Sequence, residues 1–233
     1  MAGLLEIYEG YLNKPTCNVL DNIRIGKDGR GYRKLRKEDI PIEWLNYAKK
    51  HGIKVKNKTL IIGDALDPID SNCILLMNAF YPQTESGKWC CTPAIAQYTN
   101  NGSQTPTQTC FSANGVGMIN IPYMGIALID ANGNLDLLMD TNGVISSATP
   151  NWINPAFSPP TTLCGVQQYN GSVYISFAAM PTTTFNISTA YLLIGTNTLA
   201  SGGVFSTVIE WNGMSYQPQI NQPLTINIYL GVQ

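Results

Sequence analysis

The residues best suited to chemistry lie in GIALIDANGNLDLLMDTNGVIS, residues 125–146. Asp130, Asn132, Asn134 and Asp136 alternate there, as oxygen ligands do in a calcium loop. An EF-hand loop needs Gly at its sixth position and Glu at its twelfth. Counted from Asp130, the glycine comes fourth, at Gly133, and Thr141 is twelfth. No helical pattern flanks the stretch. The acids and amides therefore read as turn formers in a three-stranded meander, and no metal is expected.

Other chemistry-bearing residues give equally plain readings. The sole histidine, His51, falls at a predicted helix end, where it caps rather than catalyses. No G-x-S-x-G, Walker A, H-E-x-x-H or G-x-G-x-x-G motif is present. GKDGRG, 26–31, does not sit between a strand and a helix as a phosphate loop must. Asp64, Asp67 and Asp70 in GDALDPID read as turn residues, with cation binding as the sharper alternative. The six cysteines, Cys17, Cys73, Cys90, Cys91, Cys110 and Cys164, include no C-x-x-C pair and read as reduced thiols, with Cys90 and Cys91 buried in a strand. The sequence thus predicts no catalytic residue, no cofactor and no metal, and a protein that is not an enzyme.

Charge is the strongest signal. Charged residues make up only 12% of the 233, and 13 of the 14 Lys and Arg lie between Lys14 and Lys58. Residues 1–58 hold 13 basic and 7 acidic groups, a net +6, and residues 59–233 hold 1 and 8, a net −7. This break predicts two parts: a basic N-terminal module, 1–58, and a neutral polar β domain, 59–233. MAGLLEIYEGYLNK lacks the basic start and apolar run of a signal peptide, which implies synthesis in the cytoplasm. No apolar stretch reaches the ~18 residues that span a bilayer.

The elements that must position these groups follow from periodicity. LLEIYEGYL, 4–12, reads as a short strand or helical turn, and IRIGKDGRGYRKLRK, 23–37, as an extended arm or a strand pair about a glycine-rich turn. DIPIEWLNYAKKHGI predicts one helix over about 40–51, with Asp39 as N-cap, Pro41 in the first turn and Gly52 beyond its end. Its apolar face carries Ile40, Trp44, Leu45 and Ala48. From residue 59 the period changes to 2, with about ten strand candidates, among them TLIIG, CILLMNAF, GVGMINIPYM, TTFNIS, AYLLIG, GVFSTVIEW and LTINIYLGV. Six Asn-Gly pairs, at Asn101, Asn114, Asn132, Asn142, Asn170 and Asn212, predict type I′ hairpins. Residues 95–114 read as a polar tract, loop or surface, and the proline-rich 148–162 as a long ordered loop packed by Trp152 and Phe157. The expected class is mainly β: an antiparallel β-sandwich or jelly roll preceded by a small module with one helix.

In layout, the charged module GKDGRGYRKLRKEDIPIEWLNYAKKHGI, the neutral Asn/Thr/Gly-rich remainder and the terminal strand LTINIYLGVQ resemble virion structural proteins of tailed bacteriophages: head fibres, decoration proteins and tail-tip proteins. The resemblance covers the whole chain but carries no diagnostic motif. It implies attachment to other capsid or tail proteins through the N-terminal part, display of a β domain, and a homo-oligomer, often a trimer. The residues expected to dock are Arg24, Lys27, Arg30, Arg33, Lys34, Arg36 and Lys37, with Ile40, Trp44 and Leu45. A second reading is a carbohydrate-binding or adhesin-like module that stacks a cell-surface glycan on Trp89, Tyr98 and Trp211. A third is a nucleic-acid-binding assembly protein, disfavoured because seven acids dilute the field of the basic segment. No membrane partner is expected.

Overall fold

The computed structural model describes residues 2–13, 23–63, 87–90, 95–107, 110–113, 123–155, 165–169 and 172–231. The expected strand CILLMNAF, the acids Asp64, Asp67 and Asp70, Phe157, and Cys17, Cys73, Cys91 and Cys164 lie outside these residues. The protein is mainly β, built on antiparallel sheets with a single α-helix among the described residues. It divides into two compact units: Met1–Leu66, Asn151–Asn186 and Tyr216–Gln233 form unit 1, and Asp67–Pro150 with Ile187–Ser215 form unit 2.

Strands are numbered along the chain. Unit 1 holds β1 (Ala2–Glu9), β2 (Ile23–Ile25), β3 (Gly31–Lys34), β4 (Lys58–Gly63), β11 (Trp152–Ile153), β12 (Gly165–Tyr169), β13 (Ser172–Pro181) and β16 (Leu224–Gly231). Their order is β11-β13-β16-β1-β4-β3-β2, with β12 also paired to β13. The expected boundary at residue 58 is therefore not a structural one. β1 hydrogen-bonds β16 on one side and β4 on the other, so the first and last strands of the chain are neighbours in one sheet.

Alternation along β1 sets two faces. Leu5 and Ile7 point one way, level with Ile228 and Ile226 of β16, which in turn face Ile175 and Phe177 of β13. All six are buried, each contributing roughly 1.5–3 kcal/mol. Leu4, Glu6 and Tyr8 point the other way, and the helix α1 (Ile42–Lys50) covers part of this second face. Trp44 of α1, with Ala48, packs against Tyr11 and Ala178; the Tyr11 and Trp44 rings meet edge-on at 5.3 Å. Gly10 lies beneath the indole with φ +137°, and a Cβ there would fall 2.7 Å from Trp44 Nε1.

The helix start differs from expectation. Asp39 does not cap α1. It ends a 3-10 turn, Lys37–Asp39, where its carboxylate accepts the Arg36 backbone N–H at 2.8 Å, and Pro41 takes the N-cap position. The end is as expected: Gly52 adopts φ +66°, and Ile53 N–H donates to Ala48 O while Gly52 N–H donates to Lys49 O, a Schellman closure.

Unit 2 holds β5 (Gly87–Cys90), β6 (Gln97–Thr99), β7 (Gly102–Gln104), β8 (Cys110–Ala113), β9 (Tyr123–Asp130), β10 (Leu135–Asp140), β14 (Ile187–Gly195) and β15 (Phe205–Trp211). Six of them form a sheet ordered β10-β9-β14-β15-β6-β7, and β5 pairs with β8. Ala127, Leu138, Leu193, Leu199, Phe205 and Tyr98 pack together in its core. TTFNIS and AYLLIG are not two strands, because β14 runs unbroken from Ile187 through the second segment. The polar tract after residue 95 is not mere loop either; it makes the β6–β7 hairpin. Gln97 is fully buried there, paired to Gln104 and Ser206 in the sheet, and its side-chain amide donates to Thr107 O at 2.7 Å and Ser206 Oγ at 2.8 Å and accepts Thr107 N–H at 2.8 Å.

Candidate attachment surface

The opening loop is two turns of one design. Gly133 N–H donates to Asp130 O and Asp130 N–H to Asn134 O; Gly143 and Asp140 repeat this with Val144. Only Gly133 and Gly143 have positive φ, at 84° and 79°, so these are type I turns closed by a glycine bulge, not type I′. The reason lies in the aspartates. Asp130 Oδ1 accepts from Asn132 N and Asn134 N, each at 2.8 Å, and Asp140 Oδ1 accepts from Asn142 N and Val144 N. These bonds hold the two central residues in right-handed turn geometry. The expected third strand shrinks to one bridge, Met139 with Ile145. Among the described residues no group of three potential ligands could hold a metal ion.

Asp130 spends its carboxylate on the turn, and the Asn134 hydrogen bonds hold its pKa below the usual range. Asp140 is fully buried and also accepts Leu199 N–H at 3.0 Å. Asp136 differs. Burial, then the charge of Asp130, pushes its pKa up to about 6, and its buried Oδ2 has no hydrogen-bond partner.

The charged groups of unit 1 sort into an internal set and an external set. Glu6, fully buried, accepts from Arg33 Nε at 2.6 Å, Thr59 Oγ1 at 2.7 Å, Tyr229 OH at 2.7 Å and Asn227 Nδ2 at 3.1 Å. Asn227 Oδ1 in turn accepts from Ser176 Oγ and Tyr174 OH. Burial opposes the Arg33 charge, yet the charge and hydrogen bond of Glu6 raise its pKa above the ordinary arginine value. Burial and then Glu6 raise the Tyr229 hydroxyl well above its usual value. Arg33 Nη1 also lies 3.5 Å from Asp39, whose carboxyl is raised by burial but brought below the usual range by Arg36 and Arg33. This network spans five strands with every partner inside the unit.

Two expected docking residues are thereby corrected. Arg33 is 6% exposed and bonded to Glu6, and Trp44 is fully buried, so neither can reach a partner. Ile40 and Leu45 are half-buried, and Ile40 packs on the clusters of Tyr8 and Trp44. The helix stripe read as a docking face is the helix's own seat on its sheet. Arg24, Lys27, Arg30, Lys34, Arg36 and Lys37 are exposed. Arg36 pairs with Glu38 and Asp39. The glycan reading loses two rings: Tyr98 is 4% and Trp211 2% exposed, so core atoms cover their faces. Trp89 falls in β5 opposite Phe111, and its side chain lies outside the described part of the structure. Trp152 is buried against Phe185, their rings 4.8 Å apart.

Sequence reasoning missed the Glu6 network. One signal could have found it. Glu6, Tyr229, Asn227 and Tyr174 share one face of three neighbouring strands whose other face is largely apolar, where a lone charge must be answered.

No protein-family model, curated protein or solved structure matches the chain. Among the described residues no helix is long and apolar enough to cross a membrane.

Proposed function

We propose that this chain is a non-enzymatic structural component of a phage particle, in which unit 1 attaches and unit 2 is displayed. One observation carries the reading. Unit 1 holds 13 basic and 8 acidic residues, a net +5, whereas unit 2 holds 1 and 7, a net −6. The charge break read along the sequence is thus a division between folded units, and most of its described acids are already bound to partners within unit 1. Exposed cations at low local acid density orient a docking encounter and speed it. The reading also fits unit 2, whose turn aspartates are consumed by backbone hydrogen bonds and offer no reaction centre. Attachment runs through the exposed Arg24, Lys27, Arg30, Lys34 and Lys37, with the 61%-exposed Ile42 of α1 as an apolar contact. Other capsid or tail proteins are the partners, and the protein acts as a homo-oligomer. Quantitative mass spectrometry of gradient-purified particles tests the reading. The chain is expected at a fixed copy number per particle; its absence would overturn the assignment.

A further inference from the structure

Strand alternation concentrates the external cations on one patch. Arg24 of β2 faces Tyr32 of β3, Tyr32 faces Leu60 of β4, and Lys34 faces Lys58. These side chains share the sheet face opposite to Arg33 and Glu6. Arg24, Lys34 and Lys58 are exposed, Tyr32 is half-buried, and Lys58 Nζ sits 4.0 Å from the Tyr32 ring centre. The β2–β3 turn adds Lys27 and Arg30. Its one acid, Asp28, accepts hydrogen bonds from the Tyr32 hydroxyl and from Arg30 N–H.

Two features set this patch apart from an ordinary solvated surface. Lys34 and Lys58 are directly opposite on adjacent strands, an arrangement that costs stability unless an anion answers it. Among the described acids of this segment, all but Glu43 of α1 are engaged. Glu6 binds Arg33, Glu9 binds Lys56 at 3.0 Å, and Glu38 and Asp39 bind Arg36. Among the described residues of the patch, five cations against one acid leave a net +4 around an aromatic ring.

We propose that this β2–β3–β4 face binds the phosphodiester backbone of single-stranded nucleic acid without regard to sequence. The inference rests on the reading of unit 1 as the attaching part and adds a nucleic-acid ligand to its protein partners. Regularly spaced phosphates answer a flat array of cations on three strands. The aromatic ring among them suits an unpaired base, whose stacking tolerates any sequence. The acids Glu6, Glu9, Glu38 and Asp39 are paired with Arg33, Lys56 and Arg36, cations outside this patch.

The test is fluorescence anisotropy of the full chain with a labelled single-stranded DNA of about 20 nucleotides, between about 50 and 200 mM salt. With four net contacts the salt slope is about −2.8, so affinity should fall about 50-fold over that range. Lys58→Glu tests the patch itself. It turns a like-charged cross-strand pair into an opposite-charged one, so thermal stability should hold while affinity falls at least about tenfold. Arg24→Gln, at the sheet edge, should weaken binding by a few-fold. Lys49→Gln on α1 should leave it unchanged. Binding with no loss in Lys58→Glu would overturn the inference. So would equal binding of poly-glutamate, which would keep the attachment reading and give it an acidic protein partner. Binding of neither polyanion would overturn both.

Discussion

Glu6 shows how one residue can settle what its neighbours do. A carboxylate with no exposure is tolerable only because three neutral donors and the Arg33 guanidinium surround it. Removing one member strands the others. Glu6→Ala leaves the buried Arg33 with only Asp39, at 3.5 Å, and should cost about 3 kcal/mol in denaturant unfolding. A loss under 1 kcal/mol would show that the network contributes little. Asp136 is the opposite case. Its pKa rises from 3.8 to about 6, so the folded state prefers the protonated form. Stability should therefore be fullest below about pH 4 and fall as pH rises through 6. With discount for solvent screening, the loss is about 1 kcal/mol by pH 7. Asp136→Asn should unfold at a higher denaturant midpoint than the parent at pH 7 and at the same midpoint below pH 4. Equal midpoints at both pH values would contradict this assignment.

At the scale of elements, much was legible from periodicity. The 3.6 period of Trp44 and Ala48 and the left-handed Gly52 marked α1, and alternation marked β9, β15 and β16. What stayed hidden had physical causes. Whether Asp39 caps a helix or an adjoining 3-10 turn depends on Arg36, which competes for the same carboxylate. The turn type after Asp130 depends on which backbone N–H groups its carboxylate captures, and Asn-Gly alone does not say. The face of α1 that looked available for docking was legible as apolar, but an apolar stripe does not announce whether it is seated within its own unit or against a partner. Trp44 at 0% exposure answers that. The partnership of β1 with β16 joins Leu5 to Ile228, at opposite ends of the chain, a separation no local pattern encodes. It reverses one expectation. A fragment beginning at residue 59 would lack β1, the strand between β16 and β4, so its unit 1 sheet should fail to form. Circular dichroism and proteolysis of that fragment should show lost strand signal and rapid cleavage of residues 172–181 and 224–231. A cooperatively folded fragment would contradict the sheet order.

At the scale of the whole molecule, a net +5 in one unit and −6 in the other is the property from which the functional reading grows. The sequence displayed this asymmetry but assigned it to the wrong boundary, because residues 151–186 and 216–233, which carry no Lys, Arg, Asp or Glu, complete the basic unit's sheet. They give the cations a rigid support without diluting them. The central claim is that exposed cations on β2 and β3 hold the chain to its particle. The most direct measurement is the copy number of the chain in purified particles, compared between the parent and a variant carrying Arg24→Glu and Lys34→Glu, both produced in folded form. The account predicts a fixed copy number for the parent, its release by raised salt, and loss of most copies in the variant. Full occupancy of particles by the variant would contradict it.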